Sequence, residues 1–246
     1  MIVSVLLTIC FLVFGILVAF IGTPLMAAAW LIDPSKRAIH FLERWYLSTL
    51  SLIIGIRIKV EGRENIDRKQ SYLIISNHKS AMDILVLKRV LPLRFKFFAA
   101  SFLFDIPFFG WCMSLIGHLP IDRSNRVKAL RFIKKGTRLL EEGKSSLLIF
   151  PEGTRTMESE IKPFKLGFLR IASDIHPLIL PVVLDGTEKI KRKDNFWYHP
   201  GRVRLSILPA VSTENITPSN WGEYKMKFEE KIKQEYDRIH AKNHLS

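Results

Sequence analysis

His78 and Asp83 stand five residues apart in the stretch Ser76-Asn77-His78-Lys79-Ser80-Ala81-Met82-Asp83. A neutral imidazole can take a proton from a hydroxyl near neutral pH, and a carboxylate on its other ring nitrogen fixes the tautomer and steadies the imidazolium that forms. Five residues turn about 500° around a helix, so the two side chains meet only if His78 lies in a loop that folds back on the helix carrying Asp83. Each residue has a second reading. Ser80 to Asp83 is an S-x-x-D capping box, in which the aspartate serves the helix start, and that role is compatible with catalysis. His78 read alone is a polar loop histidine. Two further residues suit phosphate: Arg123 and Arg155 can each present a forked pair of N–H donors.

Other chemistries fit less well. Gly136 and Gly143-Lys144-Ser145 are spaced too widely for a P-loop, and an apolar strand-like run follows them where a helix is required. No G-x-S-x-G elbow occurs. Cys10 and Cys112 are far apart, so neither a zinc site nor a disulfide is expected.

The pair needs a frame. Tyr72-Leu73-Ile74-Ile75 reads as a buried strand running into His78, and Ile84-Leu85-Val86-Leu87 as the helix after it. Side chains at a strand end and its following loop sit on rigid support, a common place for a site in an α/β fold. Ser146–Phe150 is a second such strand and runs straight into Pro151-Glu152-Gly153-Thr154-Arg155. Strands are also expected at 57–60 and 201–208, with a further apolar run at 175–184 interrupted by Pro177 and Pro181. Val127–Glu142 and 221–240 have helical periodicity. Residues 95–111 are rich in phenylalanine, as core or as a patch that meets lipid. The expectation is an α/β fold, a mixed central sheet flanked by helices.

The start of the chain is different. Residues 2–32 carry no charged side chain, and Ile2–Ile21 alone gives 20 residues, enough to cross a hydrocarbon core of about 30 Å as a helix. Gly22-Thr23-Pro24 is expected to break this helix from a second, mostly apolar one ending near Ile56. A spanning helix and a hairpin sunk in one leaflet both fit; a cleaved signal or a soluble helix pair fits less well. Residues 1–56 hold three basic and two acidic side chains, so nearly all of the net charge of +14 lies beyond them. Two units are therefore expected: a membrane-embedded helical segment, 1–56, and an α/β catalytic domain, 57–246. With such an N-terminus, a basic body implies anionic membrane phospholipids and no nucleic acid.

Asn77-His78-Lys79-Ser80-Ala81-Met82-Asp83 resembles the N-H-x-x-x-x-D block of the glycerolipid acyltransferases. Gly117–Arg123 is similar to that family's second block, Phe150-Pro151-Glu152-Gly153-Thr154-Arg155 to its third, and Leu180-Pro181-Val182-Val183 to its fourth, in the same order. Ile106-Pro107-Phe108-Phe109-Gly110-Trp111 adds a further likeness. The nearest resemblance is to the bacterial 1-acylglycerol-3-phosphate acyltransferases. It implies transfer of a fatty acyl group from acyl-CoA or acyl carrier protein to the free hydroxyl of a lysophospholipid, most simply lysophosphatidate, without a covalent acyl-enzyme. His78 would be the base and Asp83 its support. Arg123, Glu152, Gly153, Thr154 and Arg155 would bind the acceptor's glycerol phosphate, and Pro181 would belong to a block linked to the donor and the fold. The resemblance implies no cofactor beyond the acyl donor and no metal. It also implies a bacterial inner-membrane location, with the site facing the cytoplasm. One departure bears on the acceptor: Ala100-Ser101 stand where members acting on lysophosphatidate often carry a basic pair, and Lys96 is a nearby replacement. A different lysolipid acceptor, a non-catalytic lipid-binding protein and a phospholipid hydrolase are the alternatives.

Overall fold

β2, Tyr72–Ser76, is buried at every residue, as a strand covered on both faces must be. Leu73 and Ile75 point into one hydrophobic cluster and Tyr72 and Ile74 into another, so the period-two alternation divides the core into two layers. The computed structural model describes residues 2–33, 36–122, 126–155, 161–192 and 194–244. In chain order these form α1 (Ile2–Ile32), α2 (Arg37–Ile53), β1 (Ile56–Glu61), β2, α3 (Met82–Val90), β3 (Phe95–Ala100), α4 (Phe109–Ile116) and β4 (Leu119–Ile121). There follow α5 (Arg126–Glu141), β5 (Ser146–Ile149), α6 (Gly167–Ile175), β6 (Leu178–Asp185), α7 (Thr187–Ile190), β7 (Gly201–Ile207) and α8 (Trp221–His244).

The described strands make one mixed sheet in the order β1-β7-β6-β2-β5-β3-β4. From β6 to β4 neighbours run parallel; β7 is antiparallel to β6 and parallel to β1. The carboxyl ends of β6, β2, β5, β3 and β4 therefore share one edge, where an α/β sheet places a site. Residues of α2 and α3 join one cluster, with Phe95, Leu148 and Leu180 of the sheet; residues of α5, α6 and α8 join the other, with Leu147 and Ile179.

The expected break at Pro24 is corrected: α1 runs unbroken through it. A proline inside a helix forfeits one backbone bond and crowds the preceding turn, at about 3 kcal/mol. Packing offsets this here. Phe20 lies 5.0 Å from Phe108 between ring centroids, the Thr23 hydroxyl donates to the Ala19 carbonyl, and Met26 is buried with Ile39 and Ile116. The chain turns later, and Asp33 caps the next helix by accepting from the Ala38 N–H at 2.9 Å.

Candidate active site

The peptide that leaves β2 is held from both sides. Asn77 is fully buried and exchanges two hydrogen bonds with Leu184 of β6, its amide donating to the carbonyl at 2.8 Å and its side-chain oxygen accepting at 2.9 Å. On the β5 side, the His78 N–H donates to Glu152 Oε1 at 2.7 Å. Glu152 is buried, and its second oxygen accepts from the Lys162 N–H at 3.2 Å. The loop is thereby pinned to the strands on either side of β2.

The fold-back that the pair requires is present. His78 Nδ1 lies 2.7 Å from Asp83 Oδ2, with the aspartate side chain fully buried and that of the histidine 15% exposed. Oδ2 also accepts from the Lys79 and Ser80 N–H groups at 2.9 and 3.0 Å, and Oδ1 accepts from the Thr187 hydroxyl at 2.5 Å. An ionised carboxylate only accepts, so Nδ1 is the ring's donor and Nε2 keeps its lone pair. The Phe150 ring stacks on the imidazole, centroids 3.9 Å apart and planes 14° apart. A fixed, partly exposed imidazole whose Nε2 meets no hydrogen-bond partner among the described residues is equipped to take a proton from a hydroxyl brought to it.

The capping box is half formed. The Asp83 arm reaches the Ser80 N–H, whereas the Ser80 hydroxyl accepts from the Met82 N–H at 3.3 Å and donates to the Lys191 carbonyl at 2.7 Å. Asp83 thus serves the helix start and the histidine together. Lys79 is buried, its ammonium 4.8 Å from the centre of the Tyr236 ring. Burial pushes its pKa down, opposed by Glu152, Glu188, Asp185 and Asp83.

The remaining predicted residues are placed unevenly. Gly153 has φ +72°, and a Cβ there would come 2.8 Å from Lys165 Nζ, so the turn after Glu152 calls for glycine. Thr154 is half-buried at that turn, and Arg155 is exposed. Burial first, and then the charge of Arg155, lower the pKa of Lys191. Arg123 lies outside the described residues. Lys96 does not replace the basic pair at Ala100-Ser101: it is buried, its ammonium donates to the Ile116 carbonyl, and it lies against Gly117 at the approach to β4. Burial brings its pKa down to about 8. Sequence reasoning missed Phe150 and Thr187 as neighbours of the pair. Phe150 was legible as the last apolar residue before the Pro151 loop. Thr187 meets Asp83 across 104 residues and gave no local signal.

The model of the family described as Acyltransferase matches residues 57–185. A 1-acyl-sn-glycerol-3-phosphate acyltransferase of Saccharomyces cerevisiae is 33% identical over 215 residues, which is 87% of this chain and 71% of the relative. One of the same name from Limnanthes douglasii is 34% identical over 172 residues, 70% of this chain and 60% of the relative. Among solved structures, the 1-acyl-sn-glycerophosphate (LPA) acyltransferase PlsC of Thermotoga maritima superposes with a TM-score of 0.82 at 24% identity, covering 97% of this chain and 96% of that one. The last likeness is one of fold.

Proposed function

The chain belongs to the acyltransferase family, and on that premise we propose that it moves a fatty acyl group from acyl-CoA or acyl carrier protein to the free hydroxyl of lysophosphatidate, giving phosphatidate. The observation that carries the reading is the His78–Asp83 contact of 2.7 Å, with Nε2 left free at the carboxyl edge of the sheet. The names of the yeast and plant relatives support the choice of acceptor.

In the proposed cycle the acceptor hydroxyl gives its proton to His78 Nε2 while its oxygen attacks the thioester carbonyl. The tetrahedral intermediate collapses with cleavage of the C–S bond. The thiolate takes the proton back from the imidazolium, leaving a free thiol and the new ester, and no bond forms between acyl group and protein. Asp83 holds Nδ1 and offsets the charge of the imidazolium. Arg155 and Arg123 bind the acceptor's phosphate by forked hydrogen bonds. Glu152 and Gly153 act by shaping the loop: Glu152 fixes the His78 backbone, and Gly153 makes the turn that delivers Thr154 and Arg155.

We assign residues 1–56 to membrane attachment and 57–246 to catalysis. α1 is the one helix among the described residues long and apolar enough to cross a membrane. One face of α1 docks along its length. Ser4 bonds His199 at 2.9 Å, Thr8 accepts from the Tyr198 N–H at 3.0 Å, Phe14 stacks on Tyr46 and Phe20 meets Phe108. Its other face leaves Ile2, Leu6, Val13, Ile16 and Leu31 at least half exposed. That division favours a helix lying along one leaflet, with a site that meets lipid at the cytoplasmic surface of a bacterial inner membrane.

The test is an assay of purified protein with labelled acyl-CoA or acyl carrier protein and a panel of lysolipids. Labelled phosphatidate formed by the wild type, and lost in His78→Ala that still partitions to membrane, supports the reading. Activity retained by His78→Ala overturns the mechanism. Fatty acid released without a donor would mean a hydrolase, and lysolipid bound with no thioester consumed would mean a binding protein.

A further inference from the structure

The end of β6 and the segment after it grip the catalytic loop at three points. Asn77 is paired with Leu184, the Ser80 hydroxyl with the Lys191 carbonyl, and between them Thr187 reaches the carboxylate of Asp83. Of the three, only the contact of Thr187 touches the His–Asp pair. We propose that Thr187 is a positioning residue for acyl transfer, the third member of a chain Thr187–Asp83–His78. The proposal rests on the reading of His78 as the base.

The physical argument concerns the carboxylate plane. Three donors meet on Oδ2, from His78, Lys79 and Ser80, and they fix where that oxygen lies. They leave the carboxylate to turn about its terminal torsion, which is intrinsically broad. A donor on Oδ1 removes that freedom and keeps an Oδ2 lone pair aimed at Nδ1–H. Thr187 and Asp83 are both fully buried, so no water competes for the bond. The hydroxyl must be the donor, because its partner only accepts.

The backbone around Thr187 is built to deliver it. Gly186 has φ +99°, and a Cβ there would fall 2.3 Å from the Arg202 carbonyl oxygen, so the turn into α7 admits only glycine without a shift. Asp185, one residue earlier, is held by His240 Nδ1 and Asn243 Nδ2 of α8, each at 2.7 Å. The last turns of α8 therefore fix the segment from which Thr187 projects.

The chain has a signature that a purely structural threonine lacks. A hydrogen bond from Thr187 draws charge from the carboxylate. Without it the carboxylate holds the imidazolium more strongly, and the readout is a displaced acid limb of the rate profile. The other charged groups facing the carboxylate are Lys79 on its own loop and Glu188 beside Thr187, with Glu152 and Asp185 acting on Lys79 in turn. All of them remain in a Thr187 variant.

Steady-state kinetics of Thr187→Val, Thr187→Ser and Ser80→Ala, with His78→Ala in parallel, test this. Thr187→Val should lower kcat about tenfold, the scale of one hydrogen bond to a charged group. The KM of both substrates should stay within about twofold, and the acid limb of the kcat profile should move to higher pH. Thr187→Ser, which keeps the hydroxyl, should recover most of kcat and the wild-type limb. Ser80→Ala cuts the tie to Lys191 but no bond to the carboxylate, and should leave the limb in place. If Thr187→Val does not fold, Thr187→Ala is read by the same criteria. A wild-type kcat without the hydroxyl, a loss with no movement of the limb, or a serine variant as impaired as the valine one overturns the proposal. An active His78→Ala would instead overturn the reading beneath it.

Discussion

Of the histidine–carboxylate contacts among the described residues, two carry a phenylalanine ring 3.9 Å from the imidazole. At the carboxyl edge of the sheet His78 meets Asp83 at 2.7 Å and stacks on Phe150 at 3.9 Å. Beneath α2 His118 meets Glu43 at 2.8 Å and packs on Phe97 at 3.9 Å. What differs is the far side of each ring and the company of each carboxylate. The side chain of His118 is 2% exposed, and its Nδ1 is buried with no hydrogen-bond partner among the described residues. Burial drives its pKa down to about 4, against the pull of Glu43. Glu43 also holds the Lys88 ammonium, at 2.8 Å, which neutralises it. The carboxylate of Asp83 is met by backbone N–H groups and a hydroxyl, and its histidine opens toward solvent. A short His–carboxylate contact is therefore no sign of catalysis by itself. On the proposed reading, a ring nitrogen open to substrate and a carboxylate not neutralised by a lysine set the catalytic pair apart from the buried one.

Exchanging alanine into the two pairs breaks the comparison most widely. His78→Ala should lower kcat by about a thousandfold, within the range of general-base catalysis, while thermal unfolding in detergent stays near wild type. His118→Ala should leave kcat intact and remove about 2–4 kcal/mol of stability, the cost of truncating a large buried side chain. Loss of activity in both at unchanged stability would mean that the buried pair is also chemical.

The sequence exposed one pair and concealed the other for a physical reason. His78 and Asp83 are close in the chain and lie at a strand-to-helix change that apolar runs mark on both sides, so both the pair and its support could be read. Glu43 reads as one polar residue on an apolar helix. Apart from His40, three residues before it, its partners lie 45 and 75 residues away, and no local pattern points to them. The same limit hid Thr187. Elements followed this rule too. Long periodic stretches such as β2, α5 and α8 were legible. β4, three residues with Pro120 at its centre, gives alternation nothing to work on. Pro24 misled because the packing of α1 on α4, which carries the helix through it, is tertiary.

Glu43→Ala sharpens the contrast from the side of the carboxylate. It leaves the Lys88 ammonium buried with the Phe95 carbonyl, 2.8 Å away, and without its counter-charge. Breaking a buried pair in this way costs about 3–5 kcal/mol. The expected outcome is a protein that unfolds at clearly lower denaturant and, where folded, turns over as wild type. An equal loss from Glu43→Gln, which keeps an acceptor for Lys88 but not the counter-charge, would tie the effect to the charge, and a smaller one would tie it to the hydrogen bond.

The buried pair also sets a pH dependence of stability. His118 titrates near 6.5 in the unfolded chain and at about 4 when folded. Above pH 6.5 both states are neutral there, and the group contributes fully. As pH falls from 6.5 toward 4, the unfolded chain takes up the proton first and stability drains away, by roughly 3 kcal/mol in all. His40, lowered by burial, and Glu43, held well below its usual range by Lys88 and His118 against its own burial, act in the same direction. Denaturant midpoints measured from pH 7 to pH 4.5 should fall steadily, and His118→Leu should flatten the slope. An unchanged slope in that variant would place the acid sensitivity elsewhere.

The phenylalanines beside the two rings, Phe150 stacked on His78 and Phe97 tilted against His118, give the smallest effect and the finest discrimination. An aromatic pair contributes about 0.5–1.5 kcal/mol beyond its buried area. Spent on the plane of a reacting ring, that is roughly a two- to tenfold change in rate; spent on a closed ring, it is only stability. Phe150→Leu keeps an apolar side chain over His78 but loses the parallel face, at 14° to the imidazole. It should lower kcat several-fold at nearly constant KM. Phe97→Leu, the same change beside His118, should leave kcat alone and shift only the unfolding midpoint. If Phe150→Leu also changed stability alone, the stack would be packing in both places. The difference between the two histidines would then rest entirely on their carboxylates and on access to the free nitrogen.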